Sequence, residues 1–279
     1  RRLRLAIIVL ALVGAVVIAK VAWMLSSRTE APSPARVHST LPPRSEPPTT
    51  SGAFQGQWSG CGVGFEGGTW SVSAAFLSEG ATIRYPSLDC GGSWSLSEGT
   101  DGGDVYREAI DFGRERCVDD GTVLLWRGRR DDTAYFRWSY SHGEVGSLHV
   151  LSNQGEAAPA VVQMLVTEAL KAERVFSGVM REPVQQKEWP FELRFDSFDP
   201  GTGRFTGRAD WTSLDAVHRL EGIASGETLA WKQAEFIEPG ESVIGTVAVF
   251  KRVDDRSMAG IWELPNGRSG VIEFRTTGR

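Results

Sequence analysis

The sequence predicts a mainly β protein: two tandem eight-stranded antiparallel meander barrels joined by an amphipathic helix, with an N-terminal transmembrane helix. Three observations carry this expectation. The first is internal repetition. Trp138-Ser-Tyr-Ser-His-Gly143-Glu-Val-Gly146 returns as Trp262-Glu-Leu-Pro-Asn-Gly267-Arg-Ser-Gly270, an offset of 124 residues (138 to 262), and Gly121-Thr122-Val123 returns at that offset as Gly245-Thr246-Val247. Tyr85-Pro-Ser-Leu-Asp89 returns as Trp211-Thr-Ser-Leu-Asp215, an offset of 126 (85 to 211). Such a period is too long for a solenoid unit and matches a duplicated domain of ordinary size. The second is a succession of short segments that alternate apolar and polar residues between Gly-rich turns, the pattern of half-buried antiparallel strands. The third is one long apolar run near the N-terminus.

That run, residues 5–25, is apolar apart from Lys20, and about 20 such residues cross a hydrocarbon core as a helix. Lys20 can snorkel to the interface, where Trp23 marks the headgroup level. Arg1, Arg2 and Arg4 precede it, which places residues 1–4 in the cytoplasm and the bulk of the chain outside. A cleaved signal peptide would export the same residues. The chain opens with Arg rather than Met, so further sequence, and a cytoplasmic domain with it, is expected upstream. Residues 26–51 hold six of the thirteen prolines and almost no apolar side chains, which predicts an extended spacer.

Barrel repeat 1 is expected over residues 52–151, with strands near 54–60, 69–77, 81–86, 92–97, 104–112, 121–127, 133–139 and 145–151. Its turns are Ser78-Glu79-Gly80, Thr100-Asp101-Gly102-Gly103, Asp119-Asp120-Gly121 and His142-Gly143. Connections this short join only antiparallel neighbours. Repeat 2 is expected over 175–279, with strands near 175–181, 189–197, 203–211, 217–224, 228–237, 243–251, 257–263 and 268–275. Asp199-Pro200-Gly201-Thr202 predicts a type II turn with Gly201 at φ > 0. Eight meandering strands close into a barrel because closure removes the open edges. Between the repeats, 152–174 is the linker, helical over Asn153–Arg174. Val162, Leu165, Val166, Ala169 and Leu170 form its apolar stripe, Ser152 or Asn153 its cap, and Pro159 its first turn.

The net charge of −5 and the absence of a basic patch argue against nucleic acid as a partner. The three cysteines, Cys61, Cys90 and Cys117, all lie in repeat 1. Repeat 2 has Ala216 opposite Cys90 and a residue near Ser242 opposite Cys117, so both are missing together. Joint absence predicts a Cys90–Cys117 disulfide worth about 3 kcal/mol by loop closure, with pairings through Cys61 left open. The repeated Ser87-Leu88-Asp89 and Ser213-Leu214-Asp215 predict turns in which Ser and Asp bond the local backbone and Leu fills the core. Trp138 and Trp262 are expected as framework.

Positions that differ between the copies are the better candidates for function. Trp58, Tyr85, Trp94 and Arg107 in repeat 1 and Trp211, Glu221 and Trp231 in repeat 2 are the expected ligand-binding residues, with Glu108 and Lys232 also differing. Aromatic residues beside charged ones suit a barrel mouth. His38, His142, His149 and His218 show neither metal-ligand spacing nor a nucleophile motif, and Asp196-Ser-Phe-Asp199-Pro-Gly-Thr-Gly203 lacks regular calcium-ligand spacing. No metal, cofactor or catalytic residue is assigned.

Gly68-Thr-Trp70, Ile83-Arg-Tyr-Pro-Ser-Leu-Asp-Cys90-Gly-Gly-Ser-Trp94, Tyr106-Arg-Glu-Ala-Ile and Cys117-Val-Asp-Asp-Gly-Thr122 resemble a β-rich extracytoplasmic domain that follows the membrane span of some bacterial serine/threonine kinases and occurs in related exported proteins. The resemblance covers residues 54–150, and repeat 2 departs from it in both cysteines and the double glycine. Gly56-Gln-Trp58 is also similar to the opening of lipocalin and avidin-type (calycin) barrels. The expected function is a membrane-anchored extracytoplasmic ligand-binding or sensor module, the C-terminal part of a receptor-type kinase, recognising an extracellular ligand or envelope component. The alternatives are an envelope hydrolase with a carboxylate pair in a barrel mouth, and a structural or assembly protein.

Overall fold

The computed structural model describes residues 54–100, 102–140, 147–153 and 161–277. The expected membrane span at 5–25 and spacer at 26–51 lie outside them; among the described residues no helix is long and apolar enough to cross a membrane. Barrel 1 is built from β1 (Gly56–Gly64), β2 (Thr69–Leu77), β3 (Gly80–Tyr85), β4 (Cys90–Thr100), β5 (Gly103–Phe112), β6 (Gly121–Arg127), β7 (Thr133–Tyr140) and β8 (Ser147–Asn153). Each pairs with the next, and β8 closes on β1. The helix α1 (Val161–Lys171) follows. Barrel 2 repeats the plan with β9 (Phe176–Glu182), β10 (Lys187–Phe198), β11 (Arg204–Trp211), β12 (Ala216–Ser225), β13 (Thr228–Glu238), β14 (Val247–Asp254), β15 (Ser257–Glu263) and β16 (Ser269–Thr276), closed by β16 on β9. All pairings are antiparallel, and alternate residues fill the interiors.

The end of each barrel that carries the β1–β2, β3–β4 and β5–β6 turns, or their barrel 2 counterparts, is called upper; the opposite end is lower. At the upper ends the duplication is preserved in backbone detail. Asp89 (φ 53°) and Asp215 (φ 50°) are both left-handed and end the repeated Ser-Leu-Asp turns, closed by Leu88 N to Tyr85 O at 2.9 Å and Leu214 N to Trp211 O at 2.8 Å. Over each turn a glycine of the next loop, Gly113 (φ 69°) or Gly240 (φ 44°), lies so close that a Cβ would strike the Asp carbonyl. In barrel 1 the Cys90–Cys117 disulfide fastens these loops together, with Cα atoms 6.4 Å apart. In barrel 2 the bond from Glu241 N to Leu214 O (2.7 Å) joins the same two loops.

The lower ends are plugged differently. Phe54 packs edge-on against Trp58 in barrel 1, ring centres 5.6 Å apart, and Arg127 stacks over Phe54 at 5.0 Å. Barrel 2 is closed by α1, whose Val162, Val166 and Ala169 are buried in its core while Gln163 bonds Ala224 O (3.1 Å). The barrels then join side by side. Cys61 and Val63 of β1 and Leu148 and Val150 of β8 turn outward onto Ile223, Ala230, Val247 and Val249 of barrel 2. Strands β8 and β14 are therefore buried on both faces over most of their length. A polar fringe surrounds the seam. Lys251 pairs with Asp132, Arg137 with Glu263, Ser152 with Glu227 (3.3 Å), and Lys232 donates to Gly67 O (2.9 Å).

Several boundaries differ from expectation. The helix is shorter than 153–174: Asn153, an expected cap, is the last residue of β8, and the chain leaves the helix through Glu173 (φ 47°), with Arg174 N bonding Ala169 O. β1 starts two residues late and runs four residues on; within it Gly60 and Gly62 face crowded neighbours where a side chain has no room. The strand expected at 243–251 begins at Val247, since Gly245 (φ 99°) belongs to the preceding loop. The turn at 199–202 is not type II: the left-handed residue is Gly203 (φ 74°). The Asp199 carboxylate accepts from Gly201 N (2.9 Å) and Thr202 Oγ1 (2.7 Å) and winds the loop into a wider, five-residue turn, closed by Gly203 N to Asp199 O (2.8 Å).

Candidate functional site

The upper half of barrel 1 concentrates the polar interior. Alternation along β5 turns Asp104, Tyr106, Glu108 and Ile110 inward, so Glu108 enters an aromatic core as a carboxylate that is 3% exposed. Three donors from three other strands converge on it. The Tyr85 hydroxyl (2.6 Å) and the Trp94 indole (3.0 Å) donate to Oε1, and the Trp138 indole donates to Oε2. Burial pushes Glu108 above the ordinary carboxylate range while the three donors pull it back. Burial and the adjacent carboxylate raise Tyr85 well above an ordinary phenol.

Beside this cluster, β8 turns Ser147 and His149 inward, with Ser147 Oγ 2.6 Å from His149 Nε2. The imidazole stacks on Phe136 at 3.8 Å, meets Trp70 edge-on, and lies on Gly62, where any Cβ would strike the ring. Burial holds its pKa well below that of ordinary histidine. Both residues of this serine–histidine contact are at most 2% exposed.

Barrel 2 puts different residues at the matching upper positions. Tyr85 is replaced by Trp211, Trp94 by Leu220, Glu108 by Gln233 and Gly92 by His218, as strand register shows: Trp94 faces Glu108 across β4 and β5, and Leu220 faces Gln233 across β12 and β13. Trp262, the counterpart of Trp138, donates instead to Arg181 O (3.0 Å). Trp211 Nε1, both nitrogens of His218 and Gln233 Oε1 are buried without a protein hydrogen-bond partner. Burial lowers the His218 pKa; the Gln233 side chain opposes this, from close by but outside hydrogen-bond geometry.

Of the seven expected ligand-binding residues, only Tyr85 and Trp94 meet at one place. Trp58 plugs the lower end of barrel 1, and Trp231 lies in the core of barrel 2 against Phe250 (4.4 Å) and Phe274 (5.8 Å). Trp211 is buried at the upper end of barrel 2. Arg107 and Glu221 stand on the outer walls, Glu221 near Lys232 at 3.8 Å. The five aromatics therefore fill the interiors and do not line open mouths, because each faces the inner side of its strand's pleat. Glu108 was legible as a difference between the copies, and its inward parity follows from the alternation of β5. His218 and Gln233 carried the same signal, standing where the first copy has Gly92 and Glu108. Two grooves lie on the outside: about 220 Å³ between α1 and the rim of barrel 2, beside Met164, Arg174 and Arg252, and about 390 Å³ on the wall by Asp196, Arg208 and Arg219.

No protein-family model and no curated protein sequence matches this chain. Eight chains of solved structures do. One is a protein of unknown function from the DUF3598 family of Nostoc punctiforme, 10% identical, covering 81% of this chain and 96% of its own, at a TM-score of 0.31. Another is a point mutant of the vaccine antigen transferrin-binding protein B from Haemophilus parasuis, 9% identical, covering 77% of this chain and 62% of its own, at a TM-score of 0.24.

Proposed function

We propose that this chain is a membrane-anchored extracytoplasmic recognition module, in which the run at 5–25 anchors two barrels outside the cell and the barrels bind an envelope component through loops and outer walls. The observation that carries it is the Cys90–Cys117 disulfide, which braces two loops at one end of barrel 1 and belongs to an oxidising compartment. Interiors packed with tryptophan and phenylalanine support recognition by surface rather than storage of a small molecule in a calyx. A preceding serine/threonine kinase domain would make the module a sensor, as the resemblance of residues 54–150 implies. The same packed interiors favour, as a second reading, an assembly spacer without a ligand.

The test is made on the full chain in its native cells. Trapping of thiols before lysis, followed by mass-shift labelling, is expected to find Cys90 and Cys117 oxidised, and protease applied outside is expected to cleave the linker. Reduced cysteines with a protected linker would remove the reading. Sedimentation of the detergent-solubilised chain with purified envelope fragments separates recognition from a spacer role.

A further inference from the structure

We propose that the upper end of barrel 2 is a binding site for a single O–H group, held between the Trp211 indole, the His218 imidazole and the Gln233 carboxamide. The three side chains are 2%, 0% and 5% exposed, and four of their polar atoms have no protein partner. A buried polar group left unbonded costs about 1–3 kcal/mol, so four on neighbouring side chains favour a guest.

The chemistry of that guest follows from the atoms. Trp211 Nε1 only donates, Gln233 Oε1 only accepts, and a neutral imidazole offers one donor and one acceptor. Two donors and two acceptors are the full complement of a water; a hydroxyl, with its one hydrogen, meets three of the four. A carboxylate would meet only the donors, and an ammonium only the acceptors. The Trp211 and His218 rings lie 6.3 Å apart between centres, with no direct bond between them.

The first barrel shows what closes such a cluster from within. There the Glu108 carboxylate accepts from three side chains. In barrel 2 the carboxylate is the Gln233 amide, the Trp94 donor is Leu220, and the Trp262 indole is engaged by Arg181 O. What the protein supplies in one copy is left to a guest in the other. Phe236, 37% exposed, packs edge-on against His218 at 4.9 Å. The inference stands apart from the membrane and envelope reading above.

Two sources share this chemistry, a long-lived water and the hydroxyl of a small polyol. The full chain labelled with ¹⁵N-histidine distinguishes them by imidazole nitrogen shifts and magnetisation transfer to water, with and without glycerol. Hydrogen-bonded shifts at both His218 nitrogens with a water cross-peak in buffer identify water. Shifts that become hydrogen-bonded only on adding glycerol identify the polyol. Unbonded nitrogens in both conditions overturn the proposal. Gln233→Glu restores the carboxylate of barrel 1 and is expected to abolish the water cross-peak and the glycerol response with an unchanged circular dichroism spectrum; persistence of both would overturn it. Trp211→Phe removes one donor and is expected to shorten guest residence about tenfold, the equivalent of one hydrogen bond; an unchanged residence counts against the site.

Discussion

Glu108 shows how a single residue can organise one end of a barrel. All three of its partners are donors aimed at a carboxylate, so truncation leaves them buried and unmet. Glu108→Leu is expected to cost at least about 3 kcal/mol in denaturant unfolding. Its pH dependence has a definite sign. A carboxyl whose folded pKa is raised contributes stability that is fully present below its ordinary value of 4.5 and is lost as pH rises through the folded value. The stability of the wild type relative to Glu108→Gln should therefore fall as the pH is raised from about 4.5 toward neutrality, as read from denaturation midpoints. An unchanged difference across that range would show that the three donors fully offset burial.

The loops and the helix bear separate loads. The disulfide ties the loops that Gly113 and Asp89 bring together, and its removal in Cys90→Ser/Cys117→Ser is expected to cost about 3 kcal/mol, confined to barrel 1. Barrel 2 needs no such bond, because Gly240 and the Glu241 to Leu214 bond join its two loops. In α1, Val166→Asp would place a charge in the plug of barrel 2 and is expected to cost at least about 3 kcal/mol, with exposure of Trp231 visible in fluorescence. Much of this was legible beforehand. The repeat gave two barrels, the joint absence of two cysteines gave the disulfide, and the apolar stripe gave the buried face of α1. The convergence of the site residues was not, because parity along one strand says that Tyr85 and Trp94 point inward but not what they meet there. Glu108, Trp138 and Tyr85 are brought together by closure of the sheet, which spacing in the chain does not encode. The seam was overlooked although a signal existed: Leu148-His-Val-Leu151 and Val247-Ala-Val-Phe250 break the alternation, as strands covered on both faces do.

The two barrels form one unit through that seam, and its charges set when they part. Lys251, with a side chain 4% exposed, pairs with Asp132 and lies 3.7 Å from Glu227. Partial burial works against both carboxylates, yet Lys251 and the nearby arginines hold them below their ordinary values of 3.8 and 4.5. A depressed carboxyl contributes stability above its ordinary pKa and loses it as pH falls through the folded value, so the share of the seam held by Asp132 and Glu227 should weaken below about pH 4. Lys251→Met is expected to weaken the seam at neutral pH by removing the buried ammonium shared by two carboxylates, which keep only Arg130 and Arg252.

Cys61 gives the seam a consequence of its own. Its thiol lies between the barrels, wholly buried beside Thr228 of the other barrel and pushed up to about 12 by burial. While the halves stay together it is a neutral thiol out of reach of any reagent; once they separate it becomes an ordinary surface cysteine. A thiol-reactive disulfide dye that works in acid should therefore label this residue at the rate of parting, slowly at neutral pH and faster below pH 4 or in Lys251→Met. The chain thus contains a built-in clock for its own disassembly, readable in an intact sample without any added probe site.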